Sequence, residues 1–544
     1  MRKLTELKFE ELSTEQKIGL VMTGIIRPLR YEGKYESFEE NLNFVLELIR
    51  NHSLGAVWVP QATILGIKGT ARTTYPDVIE KIRAVADYPL LIFTDAESGI
   101  GDLTIGKHSA IGMADSEELA YTFGKVTGIS ARKLGYNVIC DPILDTGGKY
   151  EPCGGVVRSL GGDKHRVTEL AAAISRGLHD AGVLSVAKHY PSAETKLDPH
   201  MAPNVSDISY DDLINNKLYP YMELSRRGLI DGIMSGHVAV ACVDGDVPAT
   251  VSLKTSNLIR ERGFDGFMIT DALDMMGLKA RYGDTQAKGR CIAGGMDLIL
   301  PWFSAKKAYH DLCACYRDGI FTDERLDEAV KRVLAAQHKL AMLEPKFEDI
   351  TDEDIKKFNE INDNSVYVRT DDGIPQTISR DGKHFFLVTV KNESDIKDDG
   401  KVTVDTFTNG WFLPAQITKK IEELFPNSLV RAIYQFPTPY QTMDVLQDSL
   451  TYDDIVVVNF TEAPAYAGSD RITHRLLALF TALQQTDRIS TFLHFGSPFV
   501  LEELPHVKRL LIGGVSADSI NIALEILAGN KTSNGRLTHQ VDLQ

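Results

Sequence analysis

The chain has 544 residues, 43% of them hydrophobic, and sets 59 Lys and Arg against 75 Asp and Glu for a formal charge of −16. At roughly 100–200 residues per domain this length predicts two or three domains, each able to bury its own core, and it excludes a disordered or disulfide-stapled chain. An acidic surface without a basic stripe interleaved with aromatics repels phosphate backbones, so nucleic acid is not an expected partner.

The opening MRKLTELKFEELSTEQKIGL mixes Glu and Lys into every turn. It lacks the apolar core of about 7–15 residues that a signal peptide carries. No run approaches about 18 uncharged apolar residues, so the expectation is a cytoplasmic protein without a membrane partner. The six cysteines, Cys140, Cys153, Cys242, Cys291, Cys313 and Cys315, form no secreted-type framework. A lone Cys-x-Cys pair is weak evidence for zinc, and buried free thiols are the expectation.

From residue 50 to about 340, short β-branched runs alternate with helical stretches, the pattern of βα units and a parallel sheet. The runs lie at 55–59, 89–95, 137–141, 183–189, 231–237, 266–271 and 296–300, with helices predicted over 117–134 and 168–181. Seven strands are visible and the eighth is hidden or irregular. A TIM-like (β/α)8 barrel fits this series better than an open sheet. Strand after strand is apolar and then ends in a titratable residue: Asp95, Asp141, Lys188-His189, His237 and Asp271. In a barrel those ends converge on the face that carries chemistry. Any single Asp there reads equally well as a helix N-cap, but a Lys-His pair does not.

Residues 1–344 are therefore expected to form the barrel, and the charged stretch 345–375, with room for a short amphipathic helix, to be a linker. A second α/β series fills 376–544. Its strands are predicted near 385–390, 402–407, 429–436, 455–460, 489–495 and 509–512, and its helices near 413–424, 472–485 and 517–527. That pattern gives an α/β/α sandwich of ordinary domain size.

The densest motifs run from Lys188-His-Tyr-Pro191 through Asp198-Pro-His200, Ile233-Met-Ser-Gly-His237 and Pro248-Ala-Thr-Val-Ser252 to Gly263-Phe-Asp-Gly-Phe-Met-Ile-Thr-Asp271. In order and spacing this segment resembles glycoside hydrolase family 3. Upstream, Asp95-Ala-Glu-Ser-Gly99, Pro142-Ile-Leu-Asp145 and Arg158-Ser-Leu-Gly161 resemble further landmarks of that family, as does Ala293-Gly-Gly-Met-Asp-Leu-Ile-Leu300 downstream. After 375 the resemblance is looser. It implies that Asp271 is the catalytic nucleophile, which suits a retaining glycosidase, where an ionised carboxylate must attack the anomeric carbon. Lys188 and the rim histidines are the candidates for keeping Asp271 ionised.

The acid/base separates branches of the family. In the β-N-acetylglucosaminidase branch it is the His of an Asp-x-His dyad on the loop after the Lys-His strand, and here that is His200 with Asp198. A histidine with an ordinary pKa near about 6.5 can protonate a leaving oxygen and then deprotonate water, while the Asp fixes its tautomer. In the β-glucosidase branch the acid is a Glu from the second domain, for which Glu462 is the candidate. The resemblance further assigns Asp95, Arg158, Lys188 and His189 to sugar hydroxyls. His237 stands open between site floor and satisfied core histidine, and Met275 or Met276 between substrate contact and core.

This chain departs from the resemblance at Ser192-Ala-Glu-Thr195, where the acetylglucosaminidases usually read Gly-His-Gly-Asp-Thr, so the loop carrying His200 is remodelled. The implied function is a retaining exo-β-N-acetylglucosaminidase (β-N-acetylhexosaminidase) acting through a glycosyl-Asp271 intermediate. A β-glucosidase or β-xylosidase, a phosphorylase, and a non-catalytic sugar-binding protein are the alternatives. Neither metal nor cofactor is implied, and the expected partner is a saccharide. With His200 as acid, the second domain is left free as scaffold, lid or homodimer surface.

Overall fold

The computed structural model describes residues 4–26, 37–60, 76–149, 155–396, 401–407, 414–461, 471–514 and 516–543. They divide into two compact units.

The first unit is built on eight parallel strands: β1 (Thr23–Ile25), β2 (Ala56–Trp58), β3 (Leu91–Thr94), β4 (Val138–Ile139), β5 (Leu184–Tyr190), β6 (Gly232–Ser235), β7 (Phe267–Ala272) and β8 (Leu298–Leu300), hydrogen-bonded in that order. A parallel bridge between Met22 and Ile299 brings the last strand beside the first. The hidden eighth strand is thus β1, three residues with a central glycine, too short to register as a β-branched run. The strands read as unbroken apolar runs because both faces are covered, by helices outside and by side chains inside. The lumen is filled by Ile25, Trp58, Phe93, Val138, Val186, Met234, Phe267 and Leu298 among others. The Phe93 and Phe267 rings meet edge to face with centroids 5.9 Å apart.

Around the strands lie the helices Glu117–Leu134 and Lys164–Asp180, close to the spans predicted. They approach backbone to backbone at glycine. A methyl group on Gly124 would sit 2.1 Å from the carbonyl oxygen of Ile174, and one on Gly177 2.4 Å from that of Tyr121.

At the amino ends of the strands the buried charges are structural. Asp297, just before β8, is fully buried and meets Arg260 at 2.6 Å, Arg325 at 2.6 Å and Arg332 at 3.2 Å. It also accepts the Met268 N–H of β7 at 2.9 Å. Asp231, before β6, accepts from Ser185 N at 2.8 Å and pairs with His179 and Lys339. Burial alone would raise the Asp231 pKa, but His179 and Lys339 together leave it lowered.

The second unit holds a mixed sheet: β9 (Val366–Thr370), β10 (His384–Ile396), β11 (Val402–Phe407), β12 (Leu429–Tyr434), β13 (Asp454–Phe460), β14 (Ile489–Phe495) and β15 (Arg509–Gly513). β12, β10, β13, β14 and β15 run parallel in that spatial order, β9 closes one edge antiparallel to β15, and β11 pairs antiparallel with the far half of β10. Along β10 the side chains alternate between two cores. Phe386 and Val388 face Ile417, Ile421 and Leu524 on one side, and Phe385 and Leu387 face Leu476, Phe480 and Leu483 on the other.

Two expected boundaries shift. Residues 345–375 are not merely linker: they contain the helix Asp352–Asp363 and the edge strand β9. Residues Ile105–Ser116 and Gly147–Asp163, expected in the barrel, group with the second unit. There Gly162 N donates to Thr538 O at 2.9 Å, Gly106 N donates to Asn362 Oδ1 at 3.3 Å, and Ser109, Met113, Val156 and Val157 line a cavity with Gly513 and Leu537.

Cys140, Cys242, Cys291, Cys313 and Cys315 are free thiols; Cys242 is exposed, against the expectation of burial, and Cys153 lies outside the described residues. Among the described residues no helix is long and apolar enough to cross a membrane.

Asp297→Ala leaves three guanidinium groups facing a buried void. Removing one partner of a buried ion pair costs about 3–5 kcal/mol, so the urea midpoint of the barrel unit is expected to fall steeply. A shift smaller than that of a single exposed ion pair, below about 1 kcal/mol, would refute the structural role.

Candidate active site

The carboxyl ends of the barrel strands place the expected side chains on one rim. Lys188, inside β5, has only 2% of its side chain exposed and lies 2.8 Å from Asp95 and 2.8 Å from Glu97, both on the segment after β3. An ammonium so deeply placed needs carboxylates to offset its lost hydration. Its backbone is fixed as well, with Lys188 N donating to Pro142 O at 3.1 Å and Leu144 N donating to Lys188 O at 2.8 Å. That tie brings Asp145 against the next residue. Asp145 accepts from the His189 backbone N–H at 3.2 Å and from His189 Nδ1 at 2.8 Å, which places the proton of a neutral imidazole on Nδ1.

A second histidine–carboxylate pair stands on the loop after β5. Asp198 Oδ1 accepts from both the backbone N and the Nδ1 of His200, each at 2.8 Å, which fixes the orientation of the ring and its tautomer. The loop is held along its length. Lys217, buried, reaches Glu194 at 3.0 Å and Thr146 at 3.1 Å, and Leu197 N donates to Asn204 Oδ1 at 3.0 Å. Ser192 begins the loop with a φ of 61°, in the left-handed region, which accounts for glycine being the residue in the resembled sequences.

Asp271 lies in β7 with Ala272 N donating to its Oδ1 at 2.7 Å. Burial pushes its pKa up, but the fields of His189, His237 and His200, with that N–H, outweigh burial and hold it below the ordinary value of 3.8. The carboxylate form is therefore favoured, with the rim histidines supplying much of the field. His237 is buried with both ring nitrogens bonded, Nδ1 to Thr250 Oγ1 at 2.8 Å and Nε2 to Ala272 O at 3.0 Å. Burial lowers its pKa, and the ring is fixed between the Ala272 carbonyl and the Thr250 hydroxyl, whose own proton goes to Gly236 O at 2.6 Å. It is a satisfied histidine that fixes the backbone beside Asp271.

The remaining expectations fare differently. Met275 is 2% exposed at the start of the following helix Met276–Tyr282, while Met276 is 41% exposed. Arg158 ends the helix Gly155–Arg158 in the second unit. Asp141 is fully buried behind β4. Glu462 lies outside the described residues. Two contributors were not assigned from sequence: Glu97, the second carboxylate on Lys188, and Asp145, the partner of His189. The signal for Glu97 was its place two residues after Asp95; that for Asp145 was an Asp four residues beyond the Asp141 strand end. Among the described residues, no cluster of three or more His, Cys, Asp or Glu is placed to hold a metal.

The sequence pattern described as "Glycosyl hydrolase family 3 N terminal domain" matches residues 10–336. The chain belongs to glycosyl hydrolase family 3. It is a glycoside hydrolase by family. A "Beta-N-acetylglucosaminidase/beta-glucosidase" of Cellulomonas fimi is 26% identical over 350 residues, spanning 61% of this chain and 58% of that protein. The "Beta-hexosaminidase LpqI" of Mycobacterium tuberculosis is 28% identical over 304 residues, 53% of this chain and 76% of that protein. Among solved structures, a family 3 β-N-acetylglucosaminidase from Paenibacillus sp. str. FPU-7 superposes with a TM-score of 0.77 at 23% identity, covering 97% of this chain and 99% of that one. At that identity the likeness is one of fold.

Because Asp271 is depressed in the folded protein, it contributes stability above the pKa of an unfolded Asp, near about 3.9. That contribution is lost as pH falls through the lower folded value. Asp271→Asn is therefore expected to lower the urea midpoint at pH 7, with the gap to the parent closing below about pH 4. A gap that widens in acid would show that burial dominates instead.

Proposed function

We propose that the chain is a retaining exo-β-N-acetylglucosaminidase, a β-N-acetylhexosaminidase, with Asp271 as nucleophile and His200 as acid/base. The observation that carries this reading is the His200–Asp198 pair, both nitrogens of the orientation fixed at 2.8 Å, on a rim shared with an ionised Asp271. The likeness to the Cellulomonas β-N-acetylglucosaminidase/β-glucosidase and to the Mycobacterium β-hexosaminidase supports the same reading.

In the first half-reaction an Asp271 oxygen attacks the anomeric carbon while the bond to the leaving oxygen breaks. His200, protonated on both nitrogens, delivers its Nε2 proton to that oxygen and keeps Nδ1–H on Asp198. The covalent glycosyl-Asp271 ester is then opened by water, whose proton returns to Nε2 as its oxygen bonds the anomeric carbon. Two inversions leave the configuration retained. Lys188, held by Asp95 and Glu97, presents an ammonium that donates to a sugar hydroxyl. Asp95 and His189 complete the polar set, and a site that bonds each hydroxyl rejects sugars lacking one.

The test is hydrolysis of β-linked p-nitrophenyl N-acetylglucosamine, glucose and xylose, with and without phosphate. The N-acetyl sugar is expected to be preferred, and Asp271→Ala to abolish turnover. His200→Ala is expected to lower the rate by roughly 10²–10⁴-fold on an unactivated disaccharide, and less on the p-nitrophenyl sugar, whose leaving group needs little protonation. Preference for glucose with His200→Ala fully active would overturn the dyad assignment, and dependence on phosphate would make the enzyme a phosphorylase.

A further inference from the structure

The helix that follows the nucleophile strand, Met276–Tyr282, begins without a polar cap. Its N-cap residue is Met275, which has no side-chain oxygen to accept the first free N–H groups. Those donors are taken by the loop that carries His200. Met276 N donates to His200 O at 3.2 Å, and Gly277 N donates to Pro199 O at 2.9 Å. The residue that makes this contact fit is Gly277. A methyl group built on it would lie 3.0 Å from Pro199 O and 3.3 Å from His237 Cβ, closer than such contacts ordinarily allow. One short stretch of backbone is thus bonded to the His200 loop and lies close to His237, which holds Ala272 beside Asp271.

From this geometry we propose that Gly277, with the Met276 and Gly277 N–H groups, is a positioning element that sets the separation between His200 and Asp271. The inference rests on the reading of His200 as the acid/base. His200 lies on the loop after β5 and Asp271 near the end of β7, and nothing in the sequence distance between residues 200 and 271 fixes their spacing. The loop carbonyls serve as the missing cap of the nucleophile's helix, so displacing either side displaces the acid relative to the nucleophile. Catalysis through a positioned proton donor is sensitive to shifts of the order of 1 Å.

Two variants test it. Gly277→Ala inserts the methyl group between helix and loop, yet alanine is the better helix former, so the melting temperature is expected to hold or rise. Met276→Pro removes the N–H that His200 O accepts; proline is favoured at a first helical position, and Met275 already has the extended conformation, φ −61° and ψ 133°, that precedes proline. For Gly277→Ala the expected result is a kcat lowered roughly 10–100-fold on an unactivated disaccharide with little change in KM, and a much smaller loss on the p-nitrophenyl sugar. Met276→Pro should show the same pattern in weaker form. Unchanged kcat in both variants overturns the proposal, and so does a loss equal on the two substrates, which would place the damage at the nucleophile. His200→Ala run in parallel separates the premises. If it shows the leaving-group-dependent loss and the other two do not, only the positioning role falls; if it shows none, the acid assignment falls and the positioning role with it.

Discussion

A lysine that is almost entirely removed from solvent has to be surrounded by carboxylate, and much of the rim follows from satisfying Lys188. Its two ion pairs draw the Asp95–Glu97 segment inward from β3, and its backbone bonds to Pro142 and Leu144 draw in the segment after β4. Three neighbouring strands are thereby tied at their carboxyl ends. Asp145, carried in on the same tie, then orients His189. Leaving any one of these groups without its counterpart would strand a charge or a donor in a desolvated place, which is why they stand or fall together.

The barrel uses the same chemistry at its other end to a different purpose. Asp231 and Asp297, at the amino ends of β6 and β8, are enclosed by cations that come from the outer helices and lock those helices to the strands. At the carboxyl ends the carboxylates of Asp198 and Asp145 each hold a histidine by Nδ1, so that a titratable ring is oriented without its second nitrogen being used by that partner. Stability and reactivity are separated by the length of a strand.

Much of the barrel was legible because buried parallel strands must be apolar and short, and because the titratable residues at their ends stand out against that background. The rim positions of Asp271 and the Lys188-His189 pair were legible this way, and His200 was singled out by resemblance. What the sequence hid were partners rather than actors. Glu97 and Asp145 matter through contacts with residues dozens of positions away, and whether His237 was floor or core turned on Thr250 and Ala272, 13 and 35 residues distant. β1 was too short to announce itself, and β9 was passed over as linker because an edge strand needs little apolar character. The helix Pro439–Ser449 was also missed, although Thr438, Pro439 and Gln441 form a capping box that marks its start. Its outer face, with Tyr440 and Met443 exposed, masked the apolar stripe.

The membership of the second unit has a bearing on how the chain must be made. Ser109, Met113 and Val156 belong with Gly513 and Leu537, partners that lie between 357 and 428 residues later. During synthesis the early segments leave the ribosome long before the strands that will cover them exist, while the barrel residues on either side can already close. Loop-closure entropy over such separations makes late, slow consolidation the rule. A nascent chain halted near residue 344 would therefore carry the eight barrel strands and two excursions that meet each other, as Gly112 meets Leu160, but lack the late residues that cover them.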